Sequence, residues 1–259
     1  MLWAASRTLL LRDRLSGRMA ERLKAFPFED ERFTLVSGGR RLPAVYVSAG
    51  QGTPAFLICH GIGERVEYWG DVQRLLKQMG ISSMVFNYTG FGATCGMVRT
   101  AHCEEDAVAA VNELISRGVR SIFLLGFSLG TGVASAIAAR VPADALILCE
   151  GFSSLRDAAV AAGLPRSLTF LAEDVWPTTK RLSELSLPVL IVHSDADGLF
   201  PLSMAERVTK ACRRGESMIL KGFGHNAPIF AAPESYWRPI ADWAKRLIGS
   251  EKNQSALSG

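Results

Sequence analysis

The sequence predicts an α/β fold, with a mostly parallel central sheet and helices on both faces. Short apolar runs alternate with amphipathic helical patterns from about residue 55 to residue 248, which is typical of strand–helix–strand units. Residues 121–139 are typical of a buried strand, a sharp turn and a closely packed helix. The chain has 259 residues, of which 48% are hydrophobic and 21% are charged. This composition suits one domain with a full core and excludes a disordered chain.

Residues 1–30 predict a basic arm or helix ahead of the domain. Residues 1–24 contain six basic and two acidic residues, and this surplus of +4 equals the net charge of the whole chain. Apolar Leu11, Leu15, Met19 and Leu23 recur every four residues and predict one apolar helix side. The arm is therefore expected to touch an anionic membrane surface weakly, to dock on its own domain, or to reflect a start codon placed upstream of Met19. The charge-balanced remainder gives no indication of nucleic-acid binding.

Cysteine usage and the absence of long apolar runs bear on the compartment. The five cysteines contain no C-x-x-C pair: Cys59, Cys95, Cys103, Cys149 and Cys212. This pattern argues against a disulfide framework and a zinc site and favours a reducing compartment. The apolar runs in the N-terminal arm, residues 1–5 and the three leucines at 9–11, are too short for a membrane span or a signal-peptide core. We expect a cytoplasmic protein, either free or peripheral to a membrane.

The elements can be placed in chain order within a domain spanning residues 31–249. An N-terminal hairpin is expected at 33–36 and 42–47, because Gly38-Gly39 between the two runs favours a tight turn. Residues 250–259 are polar and predict a flexible tail. Further strands are expected at 55–59, 81–86, 119–125, 145–149, 188–192 and 217–220, and helices at 72–79, 107–115, 202–211 and 236–248.

Residues 152–186 interrupt the alternation after the carboxyl end of a strand, where α/β proteins bind ligands. This stretch predicts either a small helical cap over the site or an ordinary crossover helix with a long loop. In the cap interpretation, Trp176 and the Leu164–Leu171 stretch cover a substrate pocket. Phe152 and Gly61 are also assigned to substrate binding.

Gly126-Phe127-Ser128-Leu129-Gly130 matches G-x-S-x-G between an apolar strand and a helix of small residues. In this setting the pattern predicts a nucleophile elbow, with the Ser128 hydroxyl exposed at the carboxyl edge of the sheet. A Cβ at either flanking position is expected to strike a neighbouring strand or the helix, which explains the glycines. The alternative is a glycine-rich turn that carries an incidental serine.

A serine nucleophile needs a base and an orienting acid. His225 follows the last predicted strand in a glycine-rich loop and is the preferred base over His60, His102 and His193. The residues that follow another strand, 193–201, offer two carboxylates. Asp197 is preferred to Asp195 because a glycine turn and a proline that begins a helix follow it. The chain order is then Ser128, Asp197, His225.

The backbone amides of Leu129 and Ile62 are the predicted oxyanion hole, since each belongs to a turn beside the expected nucleophile. The glycines around Ile62, in His60-Gly61-Ile62-Gly63, let the backbone turn its amides inward. Glu150 ends a strand at the same edge of the sheet. It is therefore a third candidate acid after Asp197 and Asp195. The preferred role is an anchor for the cap or the active-site loops, and the alternative is a contact with a cationic part of the substrate.

These motifs resemble the α/β-hydrolase superfamily over roughly residues 30–248. Within the superfamily the chain is similar to Bem46-like and ABHD13- and ABHD17-like serine hydrolases, which grade into the serine aminopeptidase S33 group. Two departures are Thr131, where relatives often have glycine, and Ala93-Thr94-Cys95-Gly96, which replaces a serine-rich loop end. The matching segments are His60-Gly61, Asn87-Tyr88-Thr89-Gly90-Phe91-Gly92, the elbow, Glu150-Gly151-Phe152-Ser153-Ser154, and His193 to Pro201 with Gly224-His225.

The resemblance implies the α/β-hydrolase fold, and with the residues above it predicts a serine hydrolase without metal or cofactor. The expected substrate is a small carboxylic ester or thioester, cleaved through an acyl-enzyme. Peptidase or cofactor-free perhydrolase chemistry on the same residues is one alternative. A non-catalytic binding protein that keeps the fold is another. The sequence leaves the oligomeric state open.

Overall fold

The computed structural model describes Phe28 and residues 31–92, 94–161, 163–165, 167 and 176–257, with side chains as far as Ser250. Eight strands form one sheet in the order β1-β2-β4-β3-β5-β6-β7-β8. The strands are β1 Arg32–Ser37, β2 Arg40–Val47, β3 Ala55–Cys59, β4 Ser82–Phe86, β5 Ile122–Phe127, β6 Ala145–Cys149, β7 Val189–Ser194 and β8 Gly215–Leu220.

The sheet is mostly parallel, as predicted. β1 pairs antiparallel with β2, and β2 pairs antiparallel with β4, whereas the pairings from β4 to β8 are parallel. The hairpin turns at Gly38 and Gly39, whose φ values of 51° and 79° are those of a primed turn. Parallel pairing brings the carboxyl ends of β3, β5, β6 and β7 to one edge, so the loops that follow these strands gather there.

Helices cover both faces of this sheet. The helices are α1 Gly70–Gln78, α2 Thr100–Ser116, α3 Leu129–Ile137, α4 Leu155–Ala161, α5 Thr178–Glu184, α6 Leu202–Ala211, α7 Ala227–Phe230 and α8 Glu234–Leu257, with a short 3-10 helix at Val66–Trp69. One core lies between the sheet and α2 to α6. The other lies between the sheet and α1, α7 and α8.

The side chains of β5 show why the strand is apolar along its whole length. Phe123, Leu125 and Phe127 enter the core beneath α1 and α8. The alternate residues, Ile122 and Leu124, enter the opposite core. A strand covered on both faces loses the polar alternation that marks a half-exposed strand.

Two helices extend beyond their predicted bounds. α2 begins at Thr100, seven residues before position 107, and α8 continues from the predicted end at 248 to Leu257. The added residues of α8 include Glu251, Lys252 and Ala256, which are residue types of high helix propensity. Apolar periodicity marks only the part of a helix that packs against a core, so it does not predict how far a helix continues beyond that part.

The segment 152–186 contains α4 and α5. α5 packs against α3 and α6 through buried Leu182. Residues 166 and 168–175, which include most of the predicted Leu164–Leu171 pocket stretch, lie outside the described residues, as does the basic arm up to residue 27. Within the described part of the chain, no helix combines the length and apolarity needed to span a bilayer.

Candidate active site

Ser128 lies at the turn between β5 and α3, with φ at 51° and ψ at −117°. A Cβ on Gly126 would lie 2.6 Å from Thr131 Cα, and one on Gly130 would lie 1.8 Å from the Cys59 carbonyl oxygen. Both atoms belong to backbone, so neither can move aside easily. The strained turn therefore needs glycine on both sides of Ser128, as the motif predicted.

Thr131, one of the two departures from the family pattern, supports this turn from behind. Its hydroxyl donates a hydrogen bond to the Ser128 carbonyl oxygen at 2.6 Å, and its backbone N–H donates to the same oxygen at 3.0 Å. The Thr131 methyl occupies space next to Gly151, where a Cβ would lie 2.7 Å from Thr131 Cγ2. The threonine thus fills the space behind the elbow and stabilises its carbonyl.

The structure brings Ser128, Asp197 and His225 together at the edge of the sheet. Ser128 Oγ lies 3.0 Å from His225 Nε2, and Asp197 Oδ2 lies 2.8 Å from His225 Nδ1. These contacts join residues 97 and 28 positions apart in the chain. The Asp197 side chain is fully buried, whereas the His225 side chain is 12% exposed. The arrangement allows Ser128 to give its proton to His225 while Asp197 holds the ring.

The Asp197 carboxylate is fixed by its own loop. Its Oδ1 accepts hydrogen bonds from the backbone N–H of Leu199 at 2.7 Å and of Phe200 at 3.0 Å, which leaves Oδ2 for His225. Burial raises the pKa of Asp197, but the hydrogen bond and charge of His225 and the two amides outweigh burial and lower it to about 2. Asp195, the alternative acid, is exposed and accepts instead from the Gly222 N–H.

The other histidines have different surroundings. His60 is fully buried, its Nδ1 lies 2.8 Å from the Gly61 carbonyl oxygen, and burial lowers its pKa to about 4. His193 is also buried, and its Nε2 donates to the Phe200 carbonyl oxygen at 3.0 Å. His102 Nδ1 lies 3.2 Å from the Met97 carbonyl oxygen. Among the four histidines, all of which the structure describes, His225 is the one that hydrogen-bonds to Ser128.

Ile62 and Leu129 lie in the turns that follow β3 and β5. Neither backbone N–H donates a hydrogen bond to another described residue. Gly61 leaves the space between these turns open, because a Cβ there would lie 2.4 Å from Glu64 Oε1 and 3.2 Å from Ser128 Cβ. Glu64 Oε2 accepts the Gly61 N–H at 2.9 Å and thereby holds the loop in place.

The loop at residues 87–92 supports the turn after β3. Asn87 Oδ1 accepts the Val66 N–H at 2.9 Å, and the Tyr88 hydroxyl donates to the His60 carbonyl oxygen at 3.2 Å. Thr94, within the second departure from the family pattern, closes the loop by donating to the Tyr88 carbonyl oxygen at 2.6 Å. Ala93 lies outside the described residues.

Glu150 does not contact His225 and instead joins two other elements. Its Oε2 accepts the Ser194 N–H at 3.1 Å, and its Oε1 accepts the Tyr236 hydroxyl at 2.9 Å. These contacts tie β6 to the end of β7 and to α8, which is the geometry of a loop anchor. Glu150 has φ at 47°, a strained value for a residue with a side chain.

Trp176 and Phe152 lie in the same core but have different neighbours. Trp176 is 1% exposed, and its ring packs against the backbone of Gly132 in α3. A Cβ on Gly132 would lie only 2.8 Å from that ring. Its Nε1 donates to Glu104 Oε1 at 3.1 Å, so it joins α3 to α2. Phe152 packs edge-on against Phe200 at 5.8 Å, and Phe200 packs edge-on against His225 at 5.3 Å. Phe152 is thus two ring contacts from His225.

The sequence reasoning did not single out Phe200 or Tyr236. Phe200 immediately precedes Pro201 in the loop that contains Asp197, so an aromatic residue next to the candidate acid is a local signal for this position. Tyr236 contacts Glu150 from 86 positions away and carries no local signal.

One further cluster has the spacing of metal ligands. Ligand atoms of Glu150, His193 and Asp197 lie within 4.8 Å of one another. Asp197 already uses both carboxylate oxygens for His225 and for two amides. A metal at this point would have to compete with these contacts.

Comparison with known proteins extends the likeness beyond the motifs. A family model described as serine aminopeptidase, S33 matches residues 51–180, half of the chain. Lysophosphatidylserine lipase ABHD12 of Danio rerio is 25% identical over 186 residues, which cover 64% of this chain and 49% of that protein. Alpha/beta hydrolase domain-containing protein 17B of Homo sapiens is 25% identical over 202 residues, which cover 74% of this chain and 68% of that protein.

A solved structure shows the same fold at lower sequence identity. An esterase of Pyrococcus furiosus superposes with a TM-score of 0.70 at 17% identity, over 86% of this chain and 94% of that chain. The predicted α/β-hydrolase fold is therefore confirmed. The chain belongs to the serine aminopeptidase S33 family of hydrolases, within the α/β-hydrolase superfamily.

Proposed function

We propose that this protein is a serine hydrolase that cleaves small carboxylic esters or thioesters through an acyl-enzyme. The observation that carries the proposal is the hydrogen-bonded series Ser128, His225 and Asp197, with distances of 3.0 and 2.8 Å. A serine hydroxyl is a weak nucleophile until a neighbouring base takes its proton. The three residues supply nucleophile, base and orienting acid in the required order.

The reaction begins when Ser128 Oγ attacks the substrate carbonyl carbon and His225 Nε2 takes the serine proton. Asp197 holds the Nδ1–H of His225 and stabilises the positive charge that the ring acquires. His225 then gives the proton to the leaving alcohol or thiol, and the acyl group remains on Ser128. A water molecule, activated in turn by His225, releases the acid. Every step uses groups of this chain, so the mechanism requires no metal or cofactor.

The Ile62 and Leu129 amides are assigned to the oxyanion that forms in each step. Both lie in turns beside Ser128, and neither donates elsewhere within the described residues. Removing one such donor typically costs about 10²–10³ in turnover. The amide at the start of α3 also adds the favourable field of a helix N-terminus.

The choice of an acyl ester is supported by two similar proteins, one named as a lysophosphatidylserine lipase and the other as an esterase. Phe152 is assigned to the acyl side because its ring lies in the aromatic series that leads to His225. The basic arm, residues 1–30, is proposed to bring the enzyme to anionic membrane surfaces that hold such esters.

Peptide hydrolysis on the same residues is the second candidate, because the matching family model is described as a serine aminopeptidase. An aminoacyl p-nitroanilide and a p-nitrophenyl ester of the same amino acid distinguish the two activities. Hydrolysis of the ester without detectable hydrolysis of the p-nitroanilide supports the esterase proposal. Comparable kcat/KM values for the two substrates support the peptidase.

The deciding experiment treats the protein with a fluorophosphonate probe and measures hydrolysis of p-nitrophenyl esters of increasing chain length. Ser128→Ala should abolish both labelling and hydrolysis while the protein stays folded. Ser116→Ala, which changes an exposed serine, is the matched control and should retain both. Wild-type protein that neither labels nor hydrolyses any ester would instead support a non-catalytic binding protein.

A further inference from the structure

Glu150, His193 and Asp197 form a buried group beneath the proposed active site. All three side chains have 0% exposure. Glu150 Oε2 lies 3.5 Å from His193 Nδ1, and His193 Nε2 lies 4.0 Å from Asp197 Oδ2. The proposed mechanism uses only Asp197, so the other two groups need a separate explanation.

The charges in this group do not balance unless a proton is added. Within the described residues, no lysine or arginine pairs with Glu150 or Asp197. His193 donates its Nε2–H to the Phe200 carbonyl oxygen, and burial lowers its pKa, so the ring is neutral. Ligand atoms of Glu150 and Asp197 lie within 4.8 Å of each other. Ionising both buried carboxylates costs free energy, because only His225 can offer a positive charge.

The unsatisfied atom in the group shows where a proton belongs. His193 Nδ1 is buried and has no hydrogen-bond partner. In the neutral ring it is an acceptor, because Nε2 carries the hydrogen. Glu150 Oε2 lies 3.5 Å from this lone pair and accepts the Ser194 N–H, whereas Glu150 Oε1 accepts the Tyr236 hydroxyl.

We propose that Glu150 is a neutral carboxylic acid in the folded protein, with its proton on Oε2 directed at the unpaired Nδ1 of His193, so that the buried group carries a single negative charge, on Asp197. Glu150 then does not touch the substrate, and its effect on the site is to keep Asp197 the single charged carboxylate of the group. The catalytic part of this inference rests on the proposed function, but the protonation state of Glu150 does not.

The remaining groups that face Glu150 do not supply a compensating charge. They are Cys149 in β6, Tyr236 in α8, and His225 beyond Asp197. Burial raises the pKa of Cys149 and of Tyr236, so both stay neutral at moderate pH. Burial is the main cause that raises the pKa of Glu150 to about 8; Asp197 acts in the same direction, and the donors from Ser194 and Tyr236 oppose the shift.

The consequence for stability has a definite sign. A carboxyl group whose pKa is higher in the folded chain than in the unfolded chain stabilises the fold fully below its unfolded pKa. That contribution is lost as the pH rises through the folded value. The wild-type protein should therefore lose stability between about pH 5 and about pH 8 relative to a variant that cannot ionise at position 150.

Glu150→Gln is that variant, since its amide oxygen can accept the Ser194 N–H and its NH₂ group can donate to Tyr236. Urea unfolding of both proteins is measured across this pH range. The ratio of their unfolding constants should change in favour of the variant by up to about tenfold per pH unit. A ratio that stays constant or moves the other way overturns the proposal.

Glu104→Gln is the matched control, because the Glu104 carboxylate is 18% exposed and pairs with Arg140 at 2.9 Å. Its stability relative to wild type should not improve as the pH rises. Tyr236→Phe is the second variant if Glu150→Gln fails to fold. It removes a hydrogen bond that favours the ionised carboxylate, so the alkaline loss of stability should move to higher pH, and a move to lower pH contradicts the proposal.

The pH profile of kcat/KM tests the charge of Glu150 independently, because a negative charge there would raise the pKa of the catalytic base. If Glu150 is neutral, Glu150→Gln leaves the midpoint of the acid limb where it is in wild type and keeps kcat/KM within about threefold. If Glu150 is charged, removing that charge moves the acid limb to lower pH. Absence of any hydrolase activity would refute the proposed function alone, since the unfolding measurement does not depend on turnover.

Discussion

Asp197→Asn is the substitution whose effect follows most directly from the geometry. Asp197 Oδ1 accepts two backbone N–H groups, from Leu199 and Phe200, and Oδ2 accepts the His225 Nδ1–H. An asparagine must place its carbonyl oxygen at the Oδ1 position, because an NH₂ group there would face two donors. Its NH₂ group then faces His225 Nδ1.

An amide that donates to Nδ1 forces the hydrogen of the neutral His225 ring onto Nε2. Nε2 is the atom 3.0 Å from Ser128 Oγ, so the ring can no longer accept the serine proton. The same change of tautomer in a serine protease lowers kcat by about 10⁴. An effect of this size corresponds to about 5 kcal/mol of lost transition-state stabilisation.

The assay compares kcat/KM on p-nitrophenyl acetate for wild type, Asp197→Asn and Asp195→Asn, with circular dichroism to verify folding. Asp195 is an exposed carboxylate in the same loop, so its variant should stay close to wild type. A folded Asp197→Asn enzyme within about tenfold of wild type refutes the role of Asp197. If Glu150→Gln is the more damaging substitution, the acid is Glu150.

Three further outcomes are expected. Gly130→Ala places a Cβ 1.8 Å from the Cys59 carbonyl oxygen and should lower the free energy of unfolding by about 3 kcal/mol or more, whereas Gly249→Ala, which meets no atom, should not destabilise. Trp176→Ala should cost about 3–5 kcal/mol in urea unfolding and reduce short and long ester hydrolysis equally; a change confined to long esters would instead support the pocket role. The contacts of Asp197 with His225 lower the pKa of Asp197 to about 2 despite burial. The ionised carboxylate therefore stabilises the fold above the unfolded pKa of Asp197, and this stabilisation is lost as the pH falls through about 2. Urea unfolding should show this loss of stability at acid pH in wild type and not in Asp197→Asn.

The sequence predicted those features that depend on local chemistry. A strand buried on both faces needs a continuous apolar run, and β3 and β6 have the predicted bounds for that reason. The elbow is equally local, because the steric limits on Gly126 and Gly130 follow from a sharp strand-to-helix turn. Ser128, Asp197 and His225 meet because each follows a strand, and parallel strands end at one edge.

Contacts between distant segments were decided only by the tertiary structure. Glu150 could be identified from sequence as a carboxylate near this edge, but its partners Ser194 and Tyr236 are 44 and 86 positions away. Trp176 was assigned to a pocket, yet the structure places its ring on α3 and its Nε1 on Glu104, 72 positions away. Hydrophobic periodicity does not identify the partners of Glu150 or Trp176, because a hydrogen bond between two elements depends on how those elements pack. Local residue order limits the conformations of a segment, whereas the partner of a buried polar group is fixed only when the whole chain closes around it.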